Sequence, residues 1–329
     1  MTNLKSSLED LPNELFADIF KNLDVRHLFR AFANLNNRFN RILHSFNHLQ
    51  FFLHIHQSNL LKSNEELLCS YVYTLVVDPW INFNLVQFPN LRRLRLDRPV
   101  PKVLEQVTPT ILPHLEYLSI IYMYNMYELD LLRDRIFSNQ FLQLTSVELL
   151  EEKTLMSIPH WTESPCLTSL QIELIDFLAY QTILRACSNL IHLKFSISSF
   201  SFLNSSSSSF IHLNLQQLIL VQRSVDWHDN TDEILRDLFV YVPNLSRLTI
   251  DRTIHCQNFE QHFQGYDWLA SILADRLSNL RNFRYVLHLS IEQKLLEHFY
   301  EKHLFEIERN FLRLHAQQHY RARLKFVRE

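Results

Sequence analysis

A six-residue template, L-x-x-L-x-L, recurs eight times along this chain of 329 residues, with other apolar residues allowed at the second and third anchors. It falls at Leu91/Leu94/Leu96, Leu115/Leu118/Ile120, Leu144/Val147/Leu149 and Leu167/Leu170/Ile172. It falls again at Leu190/Leu193/Phe195, Leu215/Leu218/Leu220, Leu245/Leu248/Ile250 and Leu280/Phe283/Tyr285. A weaker copy, Val72/Leu75/Val77, opens the series. First anchors lie 24, 29, 23, 23, 25, 30 and 35 residues apart, and repetition at such a period signals a stacked array. The last two anchors are two residues apart, so both side chains point to one face of a short strand. The interval leaves room for a returning helix, and helical patterns cover residues 128–137, 175–186, 231–240 and 266–277. In the third, Asn230 with Glu233 resembles a capping box. Strand, crossover helix and neighbouring strand require a parallel sheet with right-handed connections. Stacking such units predicts an α/β solenoid.

Composition removes whole classes of enzyme. The chain has one glycine, Gly265. Phosphate-cradling loops and dinucleotide fingerprints need several, because only a residue without Cβ lets backbone N–H groups approach a phosphate. The G-x-S-x-G nucleophile elbow is impossible for the same reason. Cys69, Cys166, Cys187 and Cys256 form no C-x-x-C pair and no zinc-finger spacing. The first ten residues lack the apolar core of a signal peptide, and no apolar run reaches membrane-spanning length. These features predict reduced thiols and a cytoplasmic or nuclear location. Among 17 histidines, His54-Ile55-His56 and the His315/His319 pair are the only spacings that suggest chemistry. The second lacks the glutamate of H-E-x-x-H, and both are read as scattered surface histidines. No catalytic constellation, metal site or cofactor is expected.

The N-terminal segment is of another kind. After Leu8-Glu9-Asp10-Leu11-Pro12-Asn13-Glu14-Leu15, apolar residues fall at Leu15, Phe16, Ile19, Phe20 and Leu23, a helical stripe opened by a proline whose φ suits a first turn. A second helix carries Leu28, Phe29, Phe32 and Leu35, capped by Asp24. Asn36-Asn37 marks a break before a third with Phe39, Ile42, Leu43 and Phe46. Three short helices in about forty residues make a marginal core and lean on a neighbour. Leu11-Pro12-x-Glu14-Leu15, then Ile19-Phe20, Leu23 and Leu28, resembles an F-box over residues 8–48. The family's third helix commonly carries Val-Cys-Arg/Lys-x-Trp; Leu35-Asn36-Asn37-Arg38-Phe39 stands there instead.

The array resembles an irregular leucine-rich-repeat protein. That family usually places Asn or Cys three residues after the third anchor, where the side chain ties the turn together. Here those positions hold Pro99, Met123, Glu152, Ile175, Ser198, Arg223, Thr253 and His288, so uneven curvature is expected. A different punctuation recurs upstream of the anchors, as in Phe88-Pro89-Asn90-Leu91, Cys187-Ser188-Asn189-Leu190, Val242-Pro243-Asn244-Leu245 and Leu277-Ser278-Asn279-Leu280. Residues 196–209 include nine serines and read as a surface insertion. From residue 291 the chain lacks Gly and Pro, and Leu295, Leu296, Phe299, Leu304, Ile307, Phe311 and Leu314 give a helical stripe that would cap the solenoid's open end. Residues 309–329 carry six basic side chains and one acidic one, read as the solvated end of that helix. The domains are therefore an F-box at 8–50, a leucine-rich-repeat-like solenoid at 55–290 and a C-terminal helix at 291–329.

The resemblance implies a non-catalytic substrate-recognition adaptor of an SCF-type cullin–RING ubiquitin ligase. The F-box would dock the SCF adaptor subunit, and through it a cullin, with Leu11, Pro12, Leu15, Ile19, Leu23, Leu28 and Phe39 as contacts. The array would hold a protein substrate on its concave sheet face, whose residues alternate with the inward anchors. On that face lie Arg93, Arg95, Tyr117, Glu148, Glu173, Lys194, Arg247 and Arg284. Their mixed charge argues against nucleic acid, which asks for a uniformly basic surface. The alternative is a repeat scaffold with no ubiquitin role.

Overall fold

The computed structural model describes residues 11–23, 25–32, 35–45, 51–56, 69–121, 127–150, 161–197, 210–222, 231–255, 267–290, 305 and 308–328. The chain forms two compact units, one of residues 1–136 and 140–148 and the other of residues 137–139 and 149–329.

The first unit opens with three helices, α1 (Asn13–Lys21), α2 (Val25–Phe32) and α3 (Asn37–Ser45). Pro12, at φ −59°, precedes α1. Asn36 starts α3 as an N-cap, its Oδ1 accepting from the Phe39 N–H at 2.9 Å. The core between the helices is aromatic. Phe16 meets Phe39 edge-on at 5.1 Å, and Phe32 lies 5.0 Å from Phe20 and 5.2 Å from Phe39. Such pairs add about 0.5–1.5 kcal/mol each beyond buried area. Arg38 donates to the Leu11 carbonyl at 2.6 Å and to Asn13 Oδ1 at 3.0 Å, tethering the chain that enters α1. The module leans on the sheet as its size requires, with α1 and α2 against the first strand and Phe29 5.6 Å from Tyr71. Asp24 and Phe46 lie outside the described residues.

The strands of this unit follow in chain order: β1 (Phe51–Ile55), β2 (Val72–Val77), β3 (Arg93–Asp97), β4 (Tyr117–Ile121) and the first three residues of β5 (Ser146–Leu150). Pairing from β1 through β4 is parallel, and Leu75, Leu94 and Leu118 stand in one register row. Two helices lie between strands, α4 (Pro101–Glu105) and α5 (Tyr127–Phe137).

The second unit holds β6 (Ser169–Ile175), α6 (Phe177–Ala186), β7 (His192–Ile197), β8 (Gln217–Gln222), α7 (Thr231–Val240), β9 (Arg247–His255), α8 (Asp267–Arg276), β10 (Asn282–Ser290) and β11 (Arg321–Arg328). All six strands are parallel and ordered as in the chain. Leu170, Leu193, Leu218, Leu248 and Phe283 align across it, and the central anchor of every one of the eight template copies is buried. Helices cover this face: Tyr180 of α6 lies 5.4 Å from Phe195 of β7, and Phe311 lies 5.9 Å from Phe283 of β10. The expected helices appear within two residues of their expected ends, with Ile175 finishing β6 and Asp176 capping α6 through Ala179 N–H at 2.6 Å. Asn230 lies outside the described residues.

An asparagine one residue before the first anchor binds successive repeats together. Asn90 Nδ2 donates to the Ser70 carbonyl at 2.7 Å, Asn189 to Pro165 at 2.9 Å, Asn214 to Ser188 at 2.9 Å and Asn244 to Leu213 at 3.0 Å. Asn279 Nδ2 donates to Asn244 Oδ1 at 3.0 Å. The upstream punctuation thus does the tying expected downstream of the third anchor.

The C-terminal helix is corrected. Residues 308–315 are helical, but 321–328 form β11, which pairs in parallel with β10 from Arg321 opposite Asn282 to Arg328 opposite Leu289. Arg-Ala-Arg-Leu-Lys-Phe-Val-Arg alternates basic and apolar residues with the strand period of two, which overrides helix propensity once a sheet edge is available. Capping by the stripe holds at Phe311, which is fully buried. Leu295, Leu296, Phe299, Leu304 and Ile307 lie outside the described residues, as do serines 198–209.

Candidate functional site

Two surfaces stand out: the start of α1 and the sheet face away from the helices. On α1 the stripe splits into two faces. Phe16 and Phe20 point into the aromatic core, whereas Leu15 and Ile19 are 47% and 38% exposed. Pro12 is exposed, and Leu11 and Leu23 are half-buried. Five of the seven expected adaptor contacts therefore reach the surface. Leu28 and Phe39 do not: both are fully buried, and they hold the three helices together. A 3.6-residue period marks apolar positions without saying which of them face a partner, so the sequence alone could not separate the two sets.

Across the open sheet face, the residues alternating with the anchors reach solvent as expected. Arg93, Arg95, Arg247 and Arg284 are exposed; Tyr117, Glu148, Glu173 and Lys194 are half-buried. In the first unit the Arg93 guanidinium lies 4.6 Å from the Tyr117 ring centroid, a cation–π contact. Ser119 Oγ donates to Glu148 Oε2 at 3.0 Å. Burial, together with the Glu148 carboxylate, raises the Tyr117 hydroxyl above its usual range against the lowering effects of Ser119 and Arg95. These contacts tie β3, β4 and β5 together across their open face.

In the second unit a groove of about 590 Å³ crosses β6 to β10 on that unit's own open face, lined among others by Gln171, Glu173, Lys194, Ser196, Asp251 and His288. His288 Nε2 lies 2.9 Å from Asp251 Oδ1. Next to it is a basic row that the sequence reading missed. Parallel pairing sets Arg247 opposite Asn282 and Asn282 opposite Arg321; it also sets Arg284 opposite Arg323, and Lys325 follows one pleat on. None of these five cations has an ion-pair partner among the described residues. The signal was the basic/apolar alternation of residues 321–328.

The histidine spacings resolve differently. His315 is buried at the end of its helix with Nδ1 2.7 Å from Tyr320 Oη, while His319 reaches the Leu277 carbonyl at 3.2 Å, so they share no site. His54 and His56 are not scattered: both meet Asp78, which comes from the end of the neighbouring strand. Asp78 sits 22 residues from His56, beyond the reach of any local spacing rule.

Among the described residues no helix is long and apolar enough to cross a membrane. No protein-family model matches the chain, and no curated protein sequence matches it significantly.

Proposed function

We propose that this chain is a substrate-recognition adaptor of an SCF-type cullin–RING ubiquitin ligase, working in the cytoplasm or nucleus. The observation that carries the reading is the apolar patch of Pro12, Leu15 and Ile19 left exposed on a helix whose other face is fully packed. Folding gains nothing from these side chains, and burying two of them against a partner is worth roughly 1.5–3 kcal/mol each. An F-box would use that face to hold the SCF adaptor subunit and, through it, a cullin. The irregular leucine-rich-repeat-like array then offers its open face to a protein substrate. The contribution to ubiquitin transfer is proximity, a raised effective concentration of substrate lysines, with no covalent intermediate on this chain.

The second reading, a repeat scaffold without a ubiquitin role, is favoured by one feature: the third helix lacks the family's Trp, and Phe39 in its place is buried. One experiment separates the two. Leu15→Asp/Ile19→Asp should abolish co-purification of the SCF adaptor with the full chain and leave the melting temperature within about 2 °C, since exposed substitutions cost little. Equal recovery with wild type and variant removes the ubiquitin reading and leaves the scaffold.

A further inference from the structure

We infer that His54, His56 and Asp78 form a binding site for a divalent transition metal of the Zn²⁺ type at the first strand pair. This inference does not depend on the proposed function. The fold builds the site in three steps. Leu53 and Ile55 are buried, so the alternation of β1 turns His54 and then His56 to the open face. Parallel pairing sets Ile55 opposite Val77, which brings the next residue, Asp78, alongside His56. The Asp78 N–H donates to the Ile55 carbonyl at 3.0 Å, pinning the carboxylate's backbone to the strand that carries the imidazoles.

The donor atoms converge. His54 Nε2 lies 2.7 Å from Asp78 Oδ1, His56 Nδ1 lies 2.5 Å from Oδ2, and all three ligand atoms fall within 4.8 Å of one another. Tetrahedral ligands at about 2.0–2.2 Å from Zn²⁺ stand roughly 3.3 Å apart. Each His–Asp78 pair need therefore open by less than about 1 Å, within the range of small side-chain rotations. The ring centroids of the two histidines are only 3.7 Å apart. At that separation one divalent ion can take a nitrogen from each ring together with a carboxylate oxygen of Asp78.

Two nitrogens and one oxygen select Zn²⁺, Co²⁺, Ni²⁺ or Fe²⁺ over Mg²⁺ and Ca²⁺, which prefer all-oxygen shells. Side-chain exposures of 30%, 44% and 32% leave the site reachable from solvent. Three protein ligands leave a coordination position for water or for a donor from a partner. The bound ion would also fasten β1 to β2.

The test uses the full chain without a histidine tag, stripped with a chelator and dialysed. Calorimetric titration with ZnCl₂ should give one tight equivalent. Asp78→Asn, or His54→Gln with His56→Gln, should weaken it by at least about tenfold, the loss seen even for outer-shell partners. His27→Gln and His114→Gln, at exposed positions elsewhere, should leave it unchanged. A second measurement needs no variant: Zn²⁺ should protect His54 and His56, but not His27 and His114, from diethylpyrocarbonate as read by mass spectrometry. Unchanged affinity in the double variant, no binding by the wild type, or equal modification of His54 and His56 with and without Zn²⁺ would each overturn the site.

Discussion

Lowering the pH from 8 to 5 should loosen the C-terminal part of the second unit through one imidazole. His315 ends the helix of residues 308–315 and is 2% exposed, with the Phe311 ring 4.3 Å away and the Phe283 ring 5.4 Å away. Nδ1 pairs with Tyr320 Oη, and Nε2 has no hydrogen-bond partner among the described residues. Burial pushes the imidazole down from 6.5 to about 4. The folded state therefore prefers it neutral, and the unfolded chain takes up the proton first. Its stability contribution is complete above pH 6.5 and is lost as pH falls from there toward 4. At pH 5 the loss is about 2 kcal/mol, a ceiling because water admitted by local opening screens the charge. A cooperative unit of this size should then lose about 4–8 °C in melting temperature. His212 is also lowered by burial and adds a slope of the same sign, so the wild type alone does not isolate His315. His315→Gln does, since Gln can still bond Tyr320 Oη and does not titrate. Urea unfolding of both proteins at pH 8 and pH 5 is the assay. The wild type should lose about 2 kcal/mol more than the variant over that interval, and equal losses would refute the reasoning.

Three further outcomes follow from packing and charge. Leu218→Ala, at a fully buried central anchor, should cost about 2–5 kcal/mol by urea denaturation; a cost under about 1 kcal/mol would mean the column of anchors is not the core. Arg323→Glu puts opposite charges across from each other in place of Arg284 opposite Arg323, and should raise stability at low salt by about 0.2–1 kcal/mol, an effect that 1 M salt should erase. Burial pushes the Cys187 thiol up to about 12, and Cys69 is also buried, so native alkylation should label half-buried Cys166 well before either; early labelling of Cys187 would contradict the packing around it.

The strands were legible because the template combines two periods, a residue spacing of two within the strand and a repeat interval that sets neighbours side by side. Leu170, Leu193, Leu218 and Leu248 could be aligned on paper, and they align in the sheet. The face opposite them came with the alternation. Three things were not legible. Leu28 and Phe39 share the apolar character of Leu15 and Ile19, and only the folded module separates core from surface. Arg321 to Arg328 reads as a helix end when charge is counted and as a strand when alternation is counted, and the neighbouring edge of β10 decides between them. Asp78 joins the histidines through strand register, which exists only once β1 has paired with β2.

Turn chemistry explains how a chain with a single glycine builds so many parallel connections. Among the described residues the left-handed backbone positions fall to Trp80 at φ 64°, Arg98 at φ 44° and Asn139 at φ 54°. Asn tolerates that region, whereas Trp and Arg pay for it with strain of order 1–2 kcal/mol. The strain persists where the neighbouring repeat over-determines the backbone: Trp80 N–H donates to the Arg98 carbonyl at 3.1 Å, and Arg98 N–H to the Ile121 carbonyl at 2.8 Å. At the other end of the strands, the asparagine amides do the same from Asn90 to Asn279. Side-chain amides and inter-repeat backbone bonds thus replace the conformational freedom that glycine would supply, and they fix strand spacing at both ends. Sheet edges are managed by equally local means. In the first unit α1 and α2 lie against β1, and in the second Arg321, Arg323 and Lys325 place cations on β11 that have no ion-pair partner among the described residues. Charged edge strands resist the addition of another strand. On β11 the same cations lie in a row with Arg247 and Arg284, so the device that protects the edge also gives this end of the open face its positive charge.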